Sequence, residues 1–413
     1  MSTPSRPSLT RRTVLRQAVV GGAVLAVPAQ AAPLEVPRWT SEPGGPFQSY
    51  GQPSQWEASV SRSVALPYAD IAPGIGTANT PLERLEGTIT PNGLHFIRAH
   101  AGIPQVDPAL HRLVIHGMVR QPLSFDAATL LNYPMVTRTC FIECAGNSYQ
   151  HSLSQPRQME LGDVHGLFST AQWTGVPLSV LLDEAGIDPR SNWLLVEGAD
   201  AVALSRSLPV WKAVQDSFVA LYQNGERLRP EQGYPMRLIV PGWQGNLHIK
   251  WLRRIKATDT PTHTRDETSR YSLLMPDGKA QEFPFAIPVK SLITRPSYGQ
   301  VVPGPGQYWI SGLAWSGGAP ITRVEVSSDG GITWRVAQLD DVPKEYSPVR
   351  FRVSWAWNGN PATLMSRAVD ASGAIQPSHK EWKKTFHPTN RFHCNAIQSW
   401  SVDSDGTIEN VFV

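Results

Sequence analysis

The strictest constraint in this sequence is the alternation of apolar and polar side chains beyond about residue 260. Val324 and Val326 alternate with Arg323 and Glu325, and apolar side chains take every second position from 349 to 355. Successive side chains of a β-strand point to opposite faces, so this alternation is typical of strands with one buried face. Turn residues separate the runs at intervals of about 8 to 12 residues, which is the spacing of a β-sandwich.

We place this β-sandwich at roughly residues 285–390. Within it, the turn residues 328–331 (Ser-Asp-Gly-Gly) predict a hairpin in which residues 332–339 return as the partner strand. Residues 386–413 are interpreted as a C-terminal tail that returns to the preceding domain.

The region before the sandwich has a mixed pattern. Residues 178–185 are typical of a short helix closed by Gly186. The strand-like runs are residues 111–117, 193–197 and 234–240. The 33 glycines and 36 prolines among 413 residues favour loops and short strands over a helical bundle. The predicted fold class is therefore α+β and β-rich.

The first 31 residues are interpreted as a twin-arginine signal peptide. Arg11 and Arg12 precede an apolar stretch over residues 18–27, and Ala-Gln-Ala at 29–31 supplies a cleavage site. The stretch is shorter than the roughly 20 residues that span a bilayer, and no later run is long enough, so we expect no membrane span. The signal predicts export to the periplasm of a protein already folded around a cofactor. The alternative is a basic tail on a cytosolic protein.

The distribution of charge argues against a polyanion as partner. The chain carries 37 Lys and Arg against 34 Asp and Glu, and four of the arginines lie unopposed in the first 31 residues. The remainder is close to neutral, whereas nucleic-acid-binding proteins concentrate basic residues on one face. We therefore expect no nucleic-acid partner.

Three cysteines are an odd number for an exported protein, because a disulfide framework needs an even count. Cys144 begins the run Cys-Ala-Gly-Asn after a strand-like segment, which presents its thiol at a loop as a candidate ligand for a soft metal. Cys140 and Cys394 form either a disulfide or two buried thiols. The chain lacks the paired cysteines of a zinc site and the G-x-S-x-G of a hydrolase. It also lacks C-x-x-C-H, so we expect no haem on this chain.

Five separated blocks, in the right order, carry a resemblance to a known family. They are residues 96–100 (FIRAH), 144–147 (CAGN), 233–237 (GYPMR), 241–251 and 311–334. In these blocks, which extend over nearly all of the mature chain, the sequence resembles the sulfite oxidase family of molybdenum enzymes.

The resemblance and the composition together predict four parts. They are a signal peptide (1–31), an extended N-terminal arm rich in Pro, Ser and Gly (32–89), a sulfite-oxidase-type molybdopterin-binding catalytic domain (90–284), and an immunoglobulin-like dimerisation domain with the C-terminal tail (285–413). The cofactor implied is molybdenum bound to molybdopterin.

Further segments are similar to the branch of this family that contains the molybdenum subunits of sulfane dehydrogenases. They are residues 163–175, 264–271 and 391–400. That branch lacks the cytochrome b5 domain of animal sulfite oxidases, and no part of this chain resembles one. The resemblance therefore implies that electrons pass to a separate c-type cytochrome subunit, and it implies a homodimer within a heterotetramer.

The resemblance also implies roles for individual residues. Cys144 would be the thiolate ligand of molybdenum, and Arg98 and Tyr271 would lie at the substrate face of the metal. Arginine and lysine suit a phosphate-bearing pterin because they form charge-assisted hydrogen bonds. The residues at the cofactor-contacting positions are Phe96, Ile97, Arg98, Ala99, His100, Cys144, Asp200, Gln232, Arg237, His248, Ile249 and Lys250.

Several positions depart from the sulfite oxidase pattern. Ser148 and Tyr149 stand where sulfite oxidases have two arginines, and no C-terminal arginine is evident near Trp400. Each lost charge-assisted contact weakens binding of a free dianion by about 1.5 to 3 kcal/mol. A sulfur chain tethered to a carrier protein needs less help, because the carrier supplies binding energy. At two cofactor contacts Gln232 replaces a histidine and Leu247 replaces an arginine.

The leading hypothesis is a periplasmic sulfane dehydrogenase subunit that oxidises the persulfide sulfur of a carrier protein. The alternative is a sulfite dehydrogenase of the same fold that delivers electrons to cytochrome c. Two further classes are a cofactor-binding scaffold without turnover and an exported immunoglobulin-like adhesion module. Cys144, Arg98 and Tyr271 argue against the scaffold, and the Cys-Ala-Gly-Asn region argues against the adhesion module.

Overall fold

A computed structural model describes residues 37–43, 45–46, 48–67 and 69–413. The chain divides between Gln55 and Trp56 into two compact units. In the described part of the first unit, the short 3-10 helix Arg38–Thr40 is followed by irregular backbone. The predicted signal peptide, residues 1–31, lies outside the described residues.

The second unit, residues 56–413, is built from many short strands and few short helices. The strands are β1 (Ser63–Ala65), β2 (Gly76–Asn79), β3 (Ile97–Ala99), β4 (Leu113–Gly117), β5 (Leu123–Phe125), β6 (Val136–Glu143), β7 (Phe168–Pro177), β8 (Trp193–Gly198), β9 (Ser205–Pro209), β10 (Phe218–Gln223), β11 (Glu226–Arg227), β12 (Arg237–Ile239), β13 (Leu252–Thr258), β14 (Leu273–Leu274), β15 (Ala280–Gln281), β16 (Lys290–Arg295), β17 (Gly306–Trp315), β18 (Ile321–Ser327), β19 (Arg335–Val336), β20 (Gln338–Leu339), β21 (Val349–Trp357), β22 (Ala362–Asp370), β23 (Ser399–Val402) and β24 (Ile408–Val411).

The α-helices are α1 (Ala127–Leu130), α2 (Leu161–His165), α3 (Leu178–Ala185), α4 (Val210–Gln215), α5 (Arg265–Thr268) and α6 (His379–Thr385). Further 3-10 helices are Gln55–Glu57, Leu82–Arg84, Asn92–Leu94, Tyr149–Ser152, Pro230–Gln232 and Gly245–Leu247. The excess of strand over helix confirms the predicted α+β, β-rich class. Among the described residues, none of the helices has the length and apolar character needed to cross a bilayer.

Two five-stranded sheets enclose the first core. One has the order β5-β4-β13-β8-β9, with β4 parallel to β13 and the other neighbours antiparallel. The other has the order β11-β10-β7-β6, with β12 also pairing β10, and is antiparallel throughout. Helix α3 buries Leu178, Leu181, Leu182 and Ala185 in this core, which is the spacing of one helical face. It ends at Gly186 in the left-handed conformation, so the predicted helix and its cap are confirmed.

The predicted strands of this region differ from the observed ones mainly at their ends. The runs 111–117 and 193–197 become β4 and β8. The run 234–240 is a strand over Arg237–Ile239 alone, because Pro235 has no N–H to donate to a ladder and Gly233 turns the backbone with a φ of +105°.

The predicted sandwich is confirmed. Its sheets have the orders β16-β17-β21-β20 and β19-β18-β22-β23-β24. The inward side chains of both sheets form one core that contains Trp315, Phe351 and Trp400, all fully buried. The alternation read from the sequence is therefore the alternation between this core and solvent.

The predicted hairpin over residues 332–339 is confirmed only for Arg335–Val336, which form β19 and pair β18 antiparallel. Strand β19 pairs β18, but β20 pairs β21 in the opposite sheet, so the chain crosses between the sheets at the buried Ala337. The turn is also longer than predicted, because the Asp329 carboxylate accepts from the Thr333 N–H at 2.9 Å and Trp334 Nε1 donates to the Gly331 carbonyl at 3.0 Å. These bonds hold the chain out of the ladder until Arg335.

The C-terminal region, residues 386–413, both extends the sandwich and contacts the preceding sheets. Strands β23 and β24 extend the sandwich sheet through β22. The return towards the preceding sheets is made just before them, where the His393 N–H donates to the Ala145 carbonyl at 2.9 Å. Residues 386–413 are therefore both a sandwich edge and a contact to the Cys144 region.

The region interpreted as an extended arm, residues 32–89, contributes β1 and β2 to a three-stranded antiparallel sheet with β3. This sheet matters because β3 carries Arg98. The boundaries placed at 31, 89 and 284 stay predictions.

We expect Gly312→Ala to lower the free energy of unfolding by about 3 kcal/mol, at the upper end for overpacking. A Cβ at Gly312 on β17 would lie 2.0 Å from the Leu292 carbonyl oxygen and 2.5 Å from the Phe351 ring. Gly318→Ala is the matched control, because its Cβ would have its nearest contact at 3.7 Å. Denaturant unfolding of both variants measures the difference, and equal stabilities would contradict this account of the packing.

Candidate active site

The loop after β6 presents Cys144. Strand β6 pairs β7 up to Glu143, and the next residue, Cys144, donates its N–H to the Leu167 carbonyl at 2.9 Å. The chain then turns, with the Asn147 N–H donating to the Cys144 carbonyl at 2.8 Å. The thiol therefore stands at the end of a buried strand, as the sequence predicted.

The three cysteines differ in exposure. All are free, so of the two alternatives for Cys140 and Cys394 the structure shows two buried thiols. Burial raises the pKa of each of these two to about 12. Cys144 is partly exposed, and burial raises its pKa while Arg98 opposes the rise. Within the described residues no three His, Cys, Asp or Glu side chains cluster as a metal-binding group.

A pocket opens beside Cys144. The sequence-predicted residues that line it are Phe96, Arg98, Ala99, His100, Cys144, Asp200, Gln232, Arg237, His248, Ile249, Lys250 and Tyr271. Ile97 does not line it. The residues that the sequence analysis missed are His95, Ile142, Leu204, Gly245, Asn246 and Trp251.

Some of these missed residues carried a signal and some did not. His95, Ile142 and Trp251 adjoin or lie within two residues of predicted positions. Gly245 is required by close approach, because a Cβ there would lie 2.9 Å from the Glu143 carbonyl oxygen and 3.3 Å from the Cys144 Cα. Asn246 is held by the fully buried Arg206 through its amide oxygen, a contact that no local pattern indicates.

Arg98 and Tyr271 converge on the Cys144 side of the pocket. The Arg98 guanidinium donates to the Gly76 carbonyl at 3.1 Å and the Ala99 carbonyl at 2.7 Å. The Tyr271 hydroxyl lies 3.2 Å from His100 Nε2. Burial raises the pKa of Tyr271 and lowers that of His100 to about 3, so both groups are neutral near pH 7. The arrangement sets one fixed cation beside a neutral hydrogen-bonded pair.

The pocket lining also holds Arg237, which is buried, and Lys250, which is half-buried, and among the described residues their hydrogen bonds go to neutral oxygens. The Arg237 guanidinium donates to the Gln232 carbonyl at 3.1 Å and the His248 carbonyl at 3.0 Å, while its Nε has no partner among the described residues. Lys250 Nζ donates to the Arg98 carbonyl at 3.2 Å. Burial lowers the pKa of Arg237 to about 9, and burial with the neighbouring Arg237 lowers that of Lys250 to about 7. Such a lining favours an anionic ligand.

Other predicted contacts are already engaged with the protein. His248 Nδ1 accepts from the Val240 N–H at 3.3 Å, so its Nε2 donates to the Trp243 carbonyl at 3.0 Å. Asp200 Oδ1 accepts from the Leu204 N–H at 3.1 Å. The His248 ring nitrogens are thus used within the fold rather than offered to a ligand.

Three of the departures from the sulfite oxidase pattern, at Ser148, Tyr149 and Leu247, lie outside the pocket, whereas Gln232 lines it. Ser148 is buried and its hydroxyl lies 2.6 Å from His165 Nδ1. Tyr149 is 38% exposed. Leu247 is fully buried in the first core, where a charged side chain would be costly. None of the three is among the residues that line the pocket.

Comparisons with known proteins decide the family. The model of the oxidoreductase molybdopterin binding domain matches residues 100–265, and the model of the Mo-co oxidoreductase dimerisation domain matches residues 282–400. Chicken sulfite oxidase is 33% identical, over 73% of this chain and 71% of its own length. This chain belongs to the sulfite oxidase family of molybdopterin oxidoreductases. The resemblance read from the sequence is confirmed, as is the order of the two domains.

Other members of the sulfite oxidase family are similarly related. Human mitochondrial sulfite oxidase is 35% identical over 73% of this chain, which spans 59% of the human protein. A chain in the crystal structure of the sulfane dehydrogenase SoxCD from Paracoccus pantotrophus is 40% identical, with a TM-score of 0.88. That match covers 92% of this chain and 98% of the other.

The family implies a molybdenum-molybdopterin cofactor, and the pocket fits it. A phosphate-bearing pterin is anionic, and the buried Arg237 and the half-buried Lys250 are basic side chains whose hydrogen bonds go to neutral oxygens. The unpartnered Nε of Arg237 is a donor that such a ligand would satisfy. Cys144 supplies a thiol to the same pocket.

We expect Lys250 to contribute a rise in the stability of the cofactor-free chain between about pH 7 and pH 10.5. Lys250 has a pKa lowered to about 7 from its ordinary 10.5, so within this range the unfolded chain holds a proton that the folded chain has lost. Below this range Lys250 is protonated in both states and adds no slope. Lys250→Met should flatten the rise, and so should the bound cofactor, whose negative charge favours protonated Lys250.

Denaturant unfolding at a series of pH values measures this effect. Lys256→Met, at an exposed lysine on β13, is the control and should leave the curve unchanged. A Lys250→Met curve parallel to that of the unmodified chain would contradict the assignment.

Proposed function

We propose that this protein is the molybdenum-binding subunit of a periplasmic sulfane dehydrogenase. It oxidises the persulfide sulfur on a cysteine of a carrier protein and passes the electrons to a c-type cytochrome subunit. The observation that carries the proposal is the convergence of Cys144, Arg98 and Tyr271 on one pocket. The 40% identity to a sulfane dehydrogenase chain over 98% of that chain supports the choice of substrate class.

Each step of the proposed reaction adds one oxygen atom to the terminal sulfur and removes two electrons. R–S–S⁻ and one water give R–S–SO⁻, two protons and two electrons. When bound, the molybdenum group supplies the two-electron redox chemistry and the oxygen transfer. The protein binds that group, orients the substrate and excludes competing reactions.

The side chains divide this work. Cys144 holds the metal through its sulfur, and Arg237 and Lys250 hold the anionic end of the pterin. Arg98 attracts the negative terminal sulfur, and because carbonyls rather than a carboxylate hold its guanidinium, its charge is not neutralised locally. Tyr271 keeps its proton and can donate a hydrogen bond to the reacting group, with neutral His100 orienting its hydroxyl.

The substrate preference follows from the small number of cations at this end of the pocket. Of the two arginines that line the pocket, Arg237 is assigned to the pterin and Arg98 to the substrate, whereas Ser148 and Tyr149 do not line it. One cation retains a monoanionic persulfide whose carrier protein adds binding energy at a distance. A free dianion receives less stabilisation.

The assembly is part of the proposal. The match of residues 282–400 to a dimerisation domain supports pairing of two chains through the sandwich. Two cytochrome subunits then complete a heterotetramer, exported by the signal at residues 1–31.

We expect the molybdenum-loaded protein with its cytochrome subunit to reduce cytochrome c with carrier-bound persulfide and not with micromolar free sulfite. The reason is that Arg98 is the one arginine assigned to the substrate, since the pocket's other arginine, Arg237, is assigned to the pterin. Stopped-flow absorbance of the cytochrome measures both substrates in parallel. Rapid turnover of free sulfite would favour the sulfite dehydrogenase alternative. Absence of turnover with both substrates, despite bound molybdenum, would favour a cofactor-binding scaffold without catalytic activity.

We expect Cys144→Ser to reduce turnover by more than about 100-fold, because loss of a metal ligand exceeds the effect of losing its supporting contacts. Cys140→Ala is the matched control, since this buried thiol lies outside the pocket. Molybdenum content and turnover are measured on the same samples. Full activity of Cys144→Ser would overturn the assignment of the metal ligand.

A further inference from the structure

The residue before Cys144 is a buried carboxylate held from both domains. Glu143 Oε1 accepts from Lys290 Nζ at 3.0 Å and from Asn147 Nδ2 at 2.9 Å. Glu143 Oε2 accepts from Trp315 Nε1 at 2.7 Å. Lys290 and Trp315 lie on β16 and β17 of the sandwich, so two of the three donors come from the domain that does not carry Cys144.

The same lysine reaches the far side of the loop. Lys290 Nζ donates to the Ser148 hydroxyl at 2.5 Å, and that hydroxyl donates to His165 Nδ1 at 2.6 Å. The Asn147 amide oxygen accepts from the Leu167 N–H at 3.1 Å. We call Glu143, Asn147, Ser148, Lys290 and Trp315 the Glu143 cluster. All five side chains are nine-tenths or more buried.

The Glu143 cluster fixes the loop that carries Cys144, because its members lie on both sides of that residue in the chain. The β6–β7 ladder ends at the pair of Glu143 and Phe168, so Cys144 lies just beyond the last paired residue. The Glu143 cluster holds the loop at 143 and again at 147 and 148, on both sides of the thiol. Trp315 is fixed in turn, because its ring stacks on Phe168 with centroids 4.0 Å apart. A buried carboxylate with three donors has little freedom to move, since each lost donor leaves an unsatisfied charge.

We propose that Lys290 and Trp315 are positioning residues for the Cys144 thiol, and that the sandwich domain completes the active site through Glu143 in addition to any role in dimerisation. The inference rests on the proposed function, in which Cys144 binds molybdenum. It explains why Ser148 is buried and turned from the pocket: its hydroxyl is a partner of Lys290 rather than a substrate contact.

The test is the rate at which iodoacetamide alkylates Cys144 in the full-length, molybdenum-loaded protein, located by peptide mass spectrometry. A thiol bound to the metal is protected, so the rate reports how often the metal–sulfur contact opens. The unmodified chain with and without molybdenum tests the proposed function first. Alkylation of the buried Cys140 and Cys394 in the same samples reports global unfolding.

Trp315→Phe is the primary variant, because it keeps the stacked ring and removes a single N–H donor. We expect it to raise the rate of Cys144 alkylation about tenfold, which is the fold-change that corresponds to losing one hydrogen bond to a charged group. Trp400→Phe is the matched control. Trp400 is equally buried in the sandwich, but its Nε1 donates to the Ile293 carbonyl, away from the loop.

Lys290→Met is the second variant, with Lys212→Met as its control. Lys212 is also buried, and its partner is Asp216 at 2.8 Å, away from the Glu143 cluster. We expect Lys290→Met to raise Cys144 alkylation and to lower kcat with little change in KM. Lys212→Met should leave kcat unchanged, and any rise in its Cys144 alkylation should be no larger than the rise at Cys140 and Cys394, which reports global unfolding.

The outcomes separate the two claims. Molybdenum that fails to protect Cys144 in the unmodified chain would overturn the proposed function and this inference with it. Protection in the unmodified chain, with equal Cys144 alkylation in Trp315→Phe and Trp400→Phe, would overturn the positioning role alone. A selective loss of protection in Trp315→Phe and Lys290→Met supports it.

Discussion

The ion pair between Glu143 and Lys290 joins the two halves of residues 56–413 at the point where Cys144 leaves its sheet. It lies between the β6–β7 ladder and the first strands of the sandwich, and both side chains are buried. Burying such a pair is favourable only when further donors satisfy it, and Asn147 and Trp315 do so here. The pocket is therefore built against a wall whose position both domains determine.

The part of the pocket formed by Arg237 and Lys250 has basic side chains that form no ion pair with a carboxylate among the described residues. Arg237 and Lys250 are withdrawn from water and hydrogen-bonded to neutral oxygens, which lowers the pKa of both. Isolated buried cations are costly for a folded chain. An anionic pterin offsets that cost. Arg237 and Lys250 therefore lower the stability of the cofactor-free chain and favour an anionic ligand. This matches membership of the sulfite oxidase family, whose cofactor carries phosphate.

The substrate end is comparatively sparse. Arg98 brings the positive charge, and Tyr271 with His100 brings a neutral hydrogen-bonding group. Ser148 belongs to the support behind the thiol rather than to the substrate face. The position that the sulfite oxidase pattern gives to an arginine is thus occupied here by a buried hydroxyl that contacts Lys290.

Local pattern determined much of this protein. The two-residue alternation predicted the sandwich, helical spacing and a glycine predicted α3, and Cys-Ala-Gly-Asn after a strand predicted an accessible thiol. Tertiary structure decided what lies far apart in sequence: the crossing at Ala337, which ends the hairpin after β19, and the donors to Glu143. Lys290 and Glu143 are 147 positions apart, and a buried lysine on a strand reads in sequence like a surface charge. Periodicity reports which side of one element is buried, whereas a hydrogen bond between elements depends on how they pack.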